Sequence, residues 1–182
     1  MAAWTHLAHD SLSLPASSVT WSSIPTDGTY DHLCIKVSAR TDYSGYYDDL
    51  ALRFNGDATG LYSSTYLYAG ASAPASSRNA ATSQIRNLYG VTAATTLADT
   101  FGAIEIWIPN YANTANFKQF IQQGVNPNNS TTDYQWIVGA SAGLYASTSA
   151  ISSIYLAPIR GGLAVDDFVA NSTFDLYGIL GA

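Results

Sequence analysis

The side chains of this 182-residue sequence that could do chemistry are few: 13 carboxylates, three histidines and one cysteine, among many serines and 13 tyrosines. Covalent catalysis requires a nucleophile, a base and a group that orients the base. No serine lies in a G-x-S-x-G elbow. His6 and His9 stand three apart in a segment of strand character, where that spacing turns them to opposite faces, and His32 opens a later strand. Cys34 falls in mid-strand on the face opposite Leu33 and Ile35, the place of a small covered hydrophobe rather than of a thiolate. Neither CxxC nor HExxH occurs, and no glycine-rich phosphate loop precedes a helix. The pattern predicts no catalytic residues, no cofactor and no His/Cys metal site.

The acidic pairs Asp48-Asp49 and Asp166-Asp167 could offer oxygen ligands to Ca²⁺, yet neither matches the D-x-[DN]-x-[DN]-G loop. Neighbouring carboxylates in a strand point to opposite sides, so both pairs read as solvated turn aspartates. A glycosidase needs two carboxylates at a set separation across a sugar, and the sole glutamate, Glu105, lies within a strand. Tyrosines are the remaining resource: Tyr43, Tyr46 and Tyr47 cluster in one connection, and Tyr62, Tyr66 and Tyr68 share one face of "YSSTYLYAG". Such rings serve cross-strand packing, a protein interface or a sugar site, and the sequence leaves the three open.

The elements that must hold these groups are strands. Leu33, Ile35, Val37 and Ala39 alternate with His32, Cys34, Lys36 and Ser38. Leu50, Leu52 and Phe54 alternate with Ala51, Arg53 and Asn55, and Ile104, Ile106 and Ile108 with Glu105 and Trp107. "YQWIVGA" offers Tyr134, Trp136 and Val138 as a stripe, and "FDLYGIL" offers Phe174 and Leu176. Period two is the signature of a half-buried strand. Turn residues divide the runs, as in "IPTDGTY", "NGDATG", "IPNYANTAN", "NPNNSTTD" and "PIRGG". No stretch sustains a helical stripe; the nearest, Ser76 to Leu88, has only Ile85 and Leu88 for a core. About ten strands, too many for one comfortable open sheet, predict an all-β, antiparallel two-sheet sandwich of jelly-roll type. Residues 16–182 read as one domain, and residues 1–15 as a first edge strand or an arm that packs on a neighbouring subunit.

Composition narrows the partners. Net charge is −6, and the seven basic residues are scattered singly, which disfavours nucleic acid and anionic membranes. Charged residues make up only 11% of the chain against a usual share of about 25%. The first residues, "MAAWTHLAHDSLSLPASSV", have neither the basic nor the apolar region of a signal peptide, and no apolar run has the length of a membrane span. A lone cysteine fits folding in a reducing cytoplasm. The N-x-[ST] matches at Asn128, Asn129 and Asn171 then carry no weight.

Five phrases in order, "TYDHLCIKVSAR", "DDLALRFNGD", "YSSTYLYAG", "FGAIEIWIPNYANTANFK" and "FDLYGILG", carry a resemblance. The chain resembles small β-sandwich virion structural proteins of tailed bacteriophages, from about Trp4 to its end. Its most specific elements are Arg53-Phe54-Asn55-Gly56-Asp57, Ile108-Pro109-Asn110-Tyr111 and Leu176-Tyr177-Gly178. None is a catalytic motif. The resemblance implies a non-enzymatic virion protein assembled in a host cytoplasm, a head decoration or cement protein bound to adjacent subunits of the major capsid protein. It further implies a homotrimer seated at threefold positions. A tail or fibre component that reads a carbohydrate receptor is the alternative. Expected partner contacts are Trp4, His6 and Leu7 in the N-terminal segment and Tyr43, Tyr46 and Tyr47 in the tyrosine-rich connection.

Overall fold

Strands rich in alternating apolar residues bury one stripe each, and antiparallel pairing closes their backbone hydrogen bonds. The computed structural model describes residues 4–70, 73–128, 136–160 and 166–180, and within them it holds twelve strands and no helix. In chain order these are β1 (Trp4–Ser11), β2 (Val19–Trp21), β3 (His32–Ala39), β4 (Tyr47–Phe54), β5 (Tyr62–Gly70) and β6 (Ala73–Thr82). There follow β7 (Ile85–Thr92), β8 (Gly102–Pro109), β9 (Lys118–Asn126), β10 (Ile137–Tyr145), β11 (Ile154–Pro158) and β12 (Thr173–Ile179). They form an eight-stranded sheet in the order β1-β12-β3-β8-β9-β10-β5-β6 and a four-stranded sheet in the order β2-β11-β4-β7. The count exceeds the ten expected because three-residue β2 and the polar, exposed β6 give no apolar alternation.

The pairs β2·β11, β3·β8, β4·β7 and β5·β6 are nested one inside the next. A long antiparallel hairpin folded over on itself gives this nesting, which is the jelly-roll wrapping. Two additions widen the large sheet: β9 and β10 enter between β8 and β5, and β1 with β12 extends it beyond β3. Of the two placements considered for the N-terminal segment, Trp4–Ser11 takes the edge strand, paired to β12 along its length.

Between the sheets lie Leu33, Ile35 and Val37 of β3, Leu50, Leu52 and Phe54 of β4, Ile104, Ile106 and Ile108 of β8, and Phe174 and Leu176 of β12, all buried. Each of these alternations reads correctly from the sequence, and each such side chain contributes about 1.5–3 kcal/mol by burial. One stripe does not. Trp136 and Val138 face solvent, while Ile137 between them is buried; Tyr134 lies outside the described residues. Ser76 to Leu88 is strand in both β6 and β7.

The residues that carry the resemblance hold the fold together. Asn55 and Gly56 take left-handed backbone angles in the turn after β4, which glycine and asparagine tolerate best. The Asn55 side-chain oxygen accepts from the backbone N–H groups of Ser152 and Ser153, and its amide donates to the Ala150 carbonyl, fixing the entry to β11. Asp57 accepts from the Tyr145 hydroxyl at 2.9 Å. Tyr111, fully buried, donates its hydroxyl to the Pro25 carbonyl. Gly178 leaves room for the Tyr30 ring, which a Cβ there would meet at 2.6 Å.

Candidate functional site

The large sheet has a second face, and no element of the described chain packs over its middle. Outward residues there are Glu105 and Trp107 of β8, Ile121, Gln123 and Val125 of β9, Val138, Ala140 and Ala142 of β10, and Thr65 and Leu67 of β5. Register makes them neighbours: Trp107 lies opposite Ile121, Val125 opposite Val138, and Ala140 opposite Leu67. Leu67 is 60%, Ile121 59% and Val138 48% exposed. Alanines at 140 and 142 leave the face low between Trp107 and Leu67, and a groove of about 490 Å³ runs there. Its walls are largely apolar, with Gln123, Thr65 and Glu105 as polar points. The sequence signal for this face is apolar residues on both sides of one strand: Ile121 and Val125 in β9 point opposite to the buried Phe120.

An aromatic group continues the face toward β1. Trp4 meets Trp107 edge to face at 5.2 Å and Tyr177 at 5.8 Å. Tyr177 and Trp107 flank Cys34 in register on either side, and Cys34 is fully buried. Burial pushes its thiol up to about 11, so the mid-strand cysteine is the covered, inert group that its position indicates. Glu105 accepts from the Trp107 indole at 2.6 Å and pairs with Lys36. Two hydrogen bonds, the indole's and that of the Lys36 ammonium, hold the Glu105 carboxyl below its usual range, Lys36 contributing most.

His6 and His9 depart from expectation. The pairing of β1 with β12 shifts register between His6 and Ala8, so a β-bulge inserts one extra residue. Both histidines therefore face outward, against the opposite faces read from a regular strand, while Leu7 and Ala8 turn toward the core. His6 Nε2 and His9 Nδ1 lie 3.0 and 2.8 Å from the same oxygen, Asp175 Oδ1. Of the three N-terminal contact candidates, Trp4 and His6 thus share the outer face, and Leu7 packs inward.

Tyr43, Tyr46 and Tyr47 sit elsewhere, at the entrance of β4 in the small sheet. The Arg160 guanidinium lies over the Tyr47 ring at 4.3 Å and the Tyr43 ring at 5.6 Å. Tyr46 holds its neighbours through its backbone carbonyl, which accepts from the Asn126 amide at 2.7 Å. Tyr47 also meets Tyr89, against which Tyr66 and Tyr68 pack. Tyr62 is buried, its hydroxyl bound to the backbone of Phe54. Of the uses left open for the tyrosines of β5, packing between the sheets is the one observed.

Asp48 and Asp49 correct the sequence reading most sharply. They are 0% and 4% exposed, not solvated, and a second bulge in the β4·β7 pairing falls between them. Burial pushes the Asp48 carboxyl up to about 6, opposed by a hydrogen bond from the Asp49 N–H. Burial pushes Asp49 up to about 7, opposed by the Arg160 charge, whose guanidinium lies 4.0 Å away. For Arg160 burial works against the charge, and Tyr47 and Asp49 more than offset it. A carboxylate this covered has no open path to a sugar ring, so Asp48 cannot serve a sugar site beside Tyr43, Tyr46 and Tyr47. Asp166 and Asp167 are part-buried, and Asp167 donates its N–H to Asp42 at 2.8 Å.

Fold and surface together define a jelly-roll β-sandwich with one broad, largely apolar outer face. No protein-family model matches the chain, and a search of the curated proteins returns no match.

Proposed function

We propose that the chain is a non-enzymatic structural protein of a tailed-phage particle, a head decoration or cement protein that seats the outer face of its large sheet on adjacent capsid subunits. The observation that carries this reading is the row Trp107, Ile121, Leu67, Val125 and Val138, aligned by strand register on an uncovered face. Contiguous exposed apolar patches mark interaction surfaces. Five large side chains on one flat element suit an interface repeated over a lattice, where many weak contacts sum to avidity. The virion partner, the assembly in a host cytoplasm and the homotrimer come from the resemblance.

The test is electron microscopy of capsids mixed with the purified chain. Density over the capsid lattice is expected, with the large sheet toward the shell. Ile121→Asp and Leu67→Asp are expected to lower occupancy at least about tenfold, as a charge desolvated in an apolar contact does. Density confined to a tail, or unchanged occupancy in both variants, overturns the reading.

A second reading keeps the particle and moves the protein to a tail or fibre that binds a carbohydrate. It is favoured by Trp107 beside Gln123 and Thr65 in the groove, since an indole stacks on a sugar and amides bond its hydroxyls. A glycan array comparing the native chain with Trp107→Ala decides it: a signal lost in the variant supports the sugar, and no signal in either removes it.

A further inference from the structure

We propose that His6, His9 and Asp175 bind one divalent transition-metal ion of the zinc class, which fastens the edge strand β1 to β12. A regular strand would set residues three apart on opposite faces; the bulge between His6 and Ala8 places both imidazoles on one side. Asp175 is the direct cross-strand partner of His9. Two imidazole nitrogens approach a single carboxylate oxygen at 3.0 and 2.8 Å, and the three ligand atoms all lie within 4.8 Å of one another. An ion bonded at about 2.0–2.2 Å to each needs ligand atoms roughly 3–4 Å apart, a spacing that small rotations of the two exposed rings supply. The ring of His6 is supported on one side by Tyr177, at 5.2 Å.

The donor set selects the metal. Two neutral imidazoles with one carboxylate suit Zn²⁺ and its neighbours, whereas Ca²⁺ and Mg²⁺ take cages of oxygen. The nearest competing cation does not occupy the carboxylate: Lys36, opposite Asp175 in register, is paired with Glu105 instead. Three protein ligands leave a fourth position, on the solvent side of the exposed rings, for water. β1 pairs with β12 alone, so an ion shared by residues 6, 9 and 175 locks the margin of the sheet.

The experiment uses the full chain without a polyhistidine tag, stripped of metal and titrated with Zn²⁺ by calorimetry, with thermal unfolding recorded alongside. One ion per chain and a rise in unfolding temperature are expected, since an ion that binds only the folded state stabilises it. His6→Ala, His9→Ala and Asp175→Asn should each weaken binding at least about tenfold and remove the rise. His32→Ala should leave zinc affinity unchanged, and Ca²⁺ should give no shift. The two mutated histidines are half-exposed, so those variants stay folded, and the rise on adding Zn²⁺ is read against each variant's own metal-free unfolding temperature. Absence of saturable binding, or binding that survives in the His6→Ala/His9→Ala double variant, overturns the site; an equal response to Ca²⁺ overturns the metal class.

Discussion

The outer face of the large sheet and the entrance of β4 invert the usual distribution of residues. On the face, Leu67 and Ile121 meet water; at the entrance, Asp48 and Asp49 are shut away from it. Each arrangement is unfavourable for the isolated chain, but in different ways. Exposed apolar area forgoes burial and leaves the fold itself unstrained. A buried carboxylate must give up its hydration, and it is tolerated only with a charge partner, with hydrogen bonds or with a proton. The entrance uses all of these: Arg160 stands near Asp49, Asn87 donates to Asp49 at 3.2 Å, and the raised pKa values favour protonation. Stability is therefore exposed to change at the entrance, and association at the face.

The largest expected effect is on pH dependence at the entrance. The folded-state pKa of Asp49 is raised to about 7 from an ordinary 3.8, so between those values the folded chain holds a proton that the unfolded chain has lost. Stability from this group is then full below about pH 4 and falls as pH rises toward about 7. Between about pH 5 and about pH 8 the native chain should lose on the order of 2–3 kcal/mol more than Asp49→Asn, which cannot ionise. Urea unfolding at both pH values measures this difference. Equal losses in the two proteins would show that Asp49 is ionised throughout, and the contrast with the outer face would shrink.

Next in size is the loss of the cation. Arg160→Ala removes the guanidinium from Tyr43, Tyr47 and Asp49 together. At about pH 8 the variant should be less stable by about 2 kcal/mol, because a buried carboxylate is left without its charge partner. At about pH 5, where Asp49 carries a proton, the loss should fall to the packing contribution of the two rings, on the order of 1 kcal/mol. A deficit independent of pH would mean that Arg160 acts through the tyrosines alone.

How much of this was legible in the sequence follows from the range of the interactions involved. Local alternation fixes which residues of β3, β4, β8 and β12 face inward, and those stripes read correctly. Alternation is silent on bulges, which depend on a partner strand: β12 for His6 and His9, β7 for Asp48 and Asp49. In β1 the inserted residue reverses the predicted side of His9; at the entrance of β4 the extra residue lies in β7, and Asp48 keeps the inward side of Leu50, Leu52 and Phe54. Arg160 and Asp175 reach their partners across more than a hundred residues, and no spacing in the sequence announces such a meeting. The open face was legible in part. Ile121 and Val125 make β9 apolar on both sides, but a second apolar stripe could equally have met another layer of the fold.

The smallest effect on stability should come from the outer face, and it separates the two regions most cleanly. Ile121→Ser removes apolar area that is already 59% exposed, from a strand whose buried stripe of Phe120 and Gln122 is untouched. Unfolding free energy should change by no more than about 0.5 kcal/mol, as for surface positions without a cap, a cavity or a buried partner. Binding through the face should nonetheless weaken, because the serine cannot replace an apolar contact at its centre. Equilibrium unfolding and a sedimentation or capsid-binding assay on the same sample compare the two quantities directly. If Ile121→Ser lowers stability by several-fold more than expected, the side chain is covered in solution and the face belongs to the core of a larger assembly. If neither quantity moves, Ile121 lies outside the contact, which tells against both the aliphatic row and the groove that it lines beside Trp107.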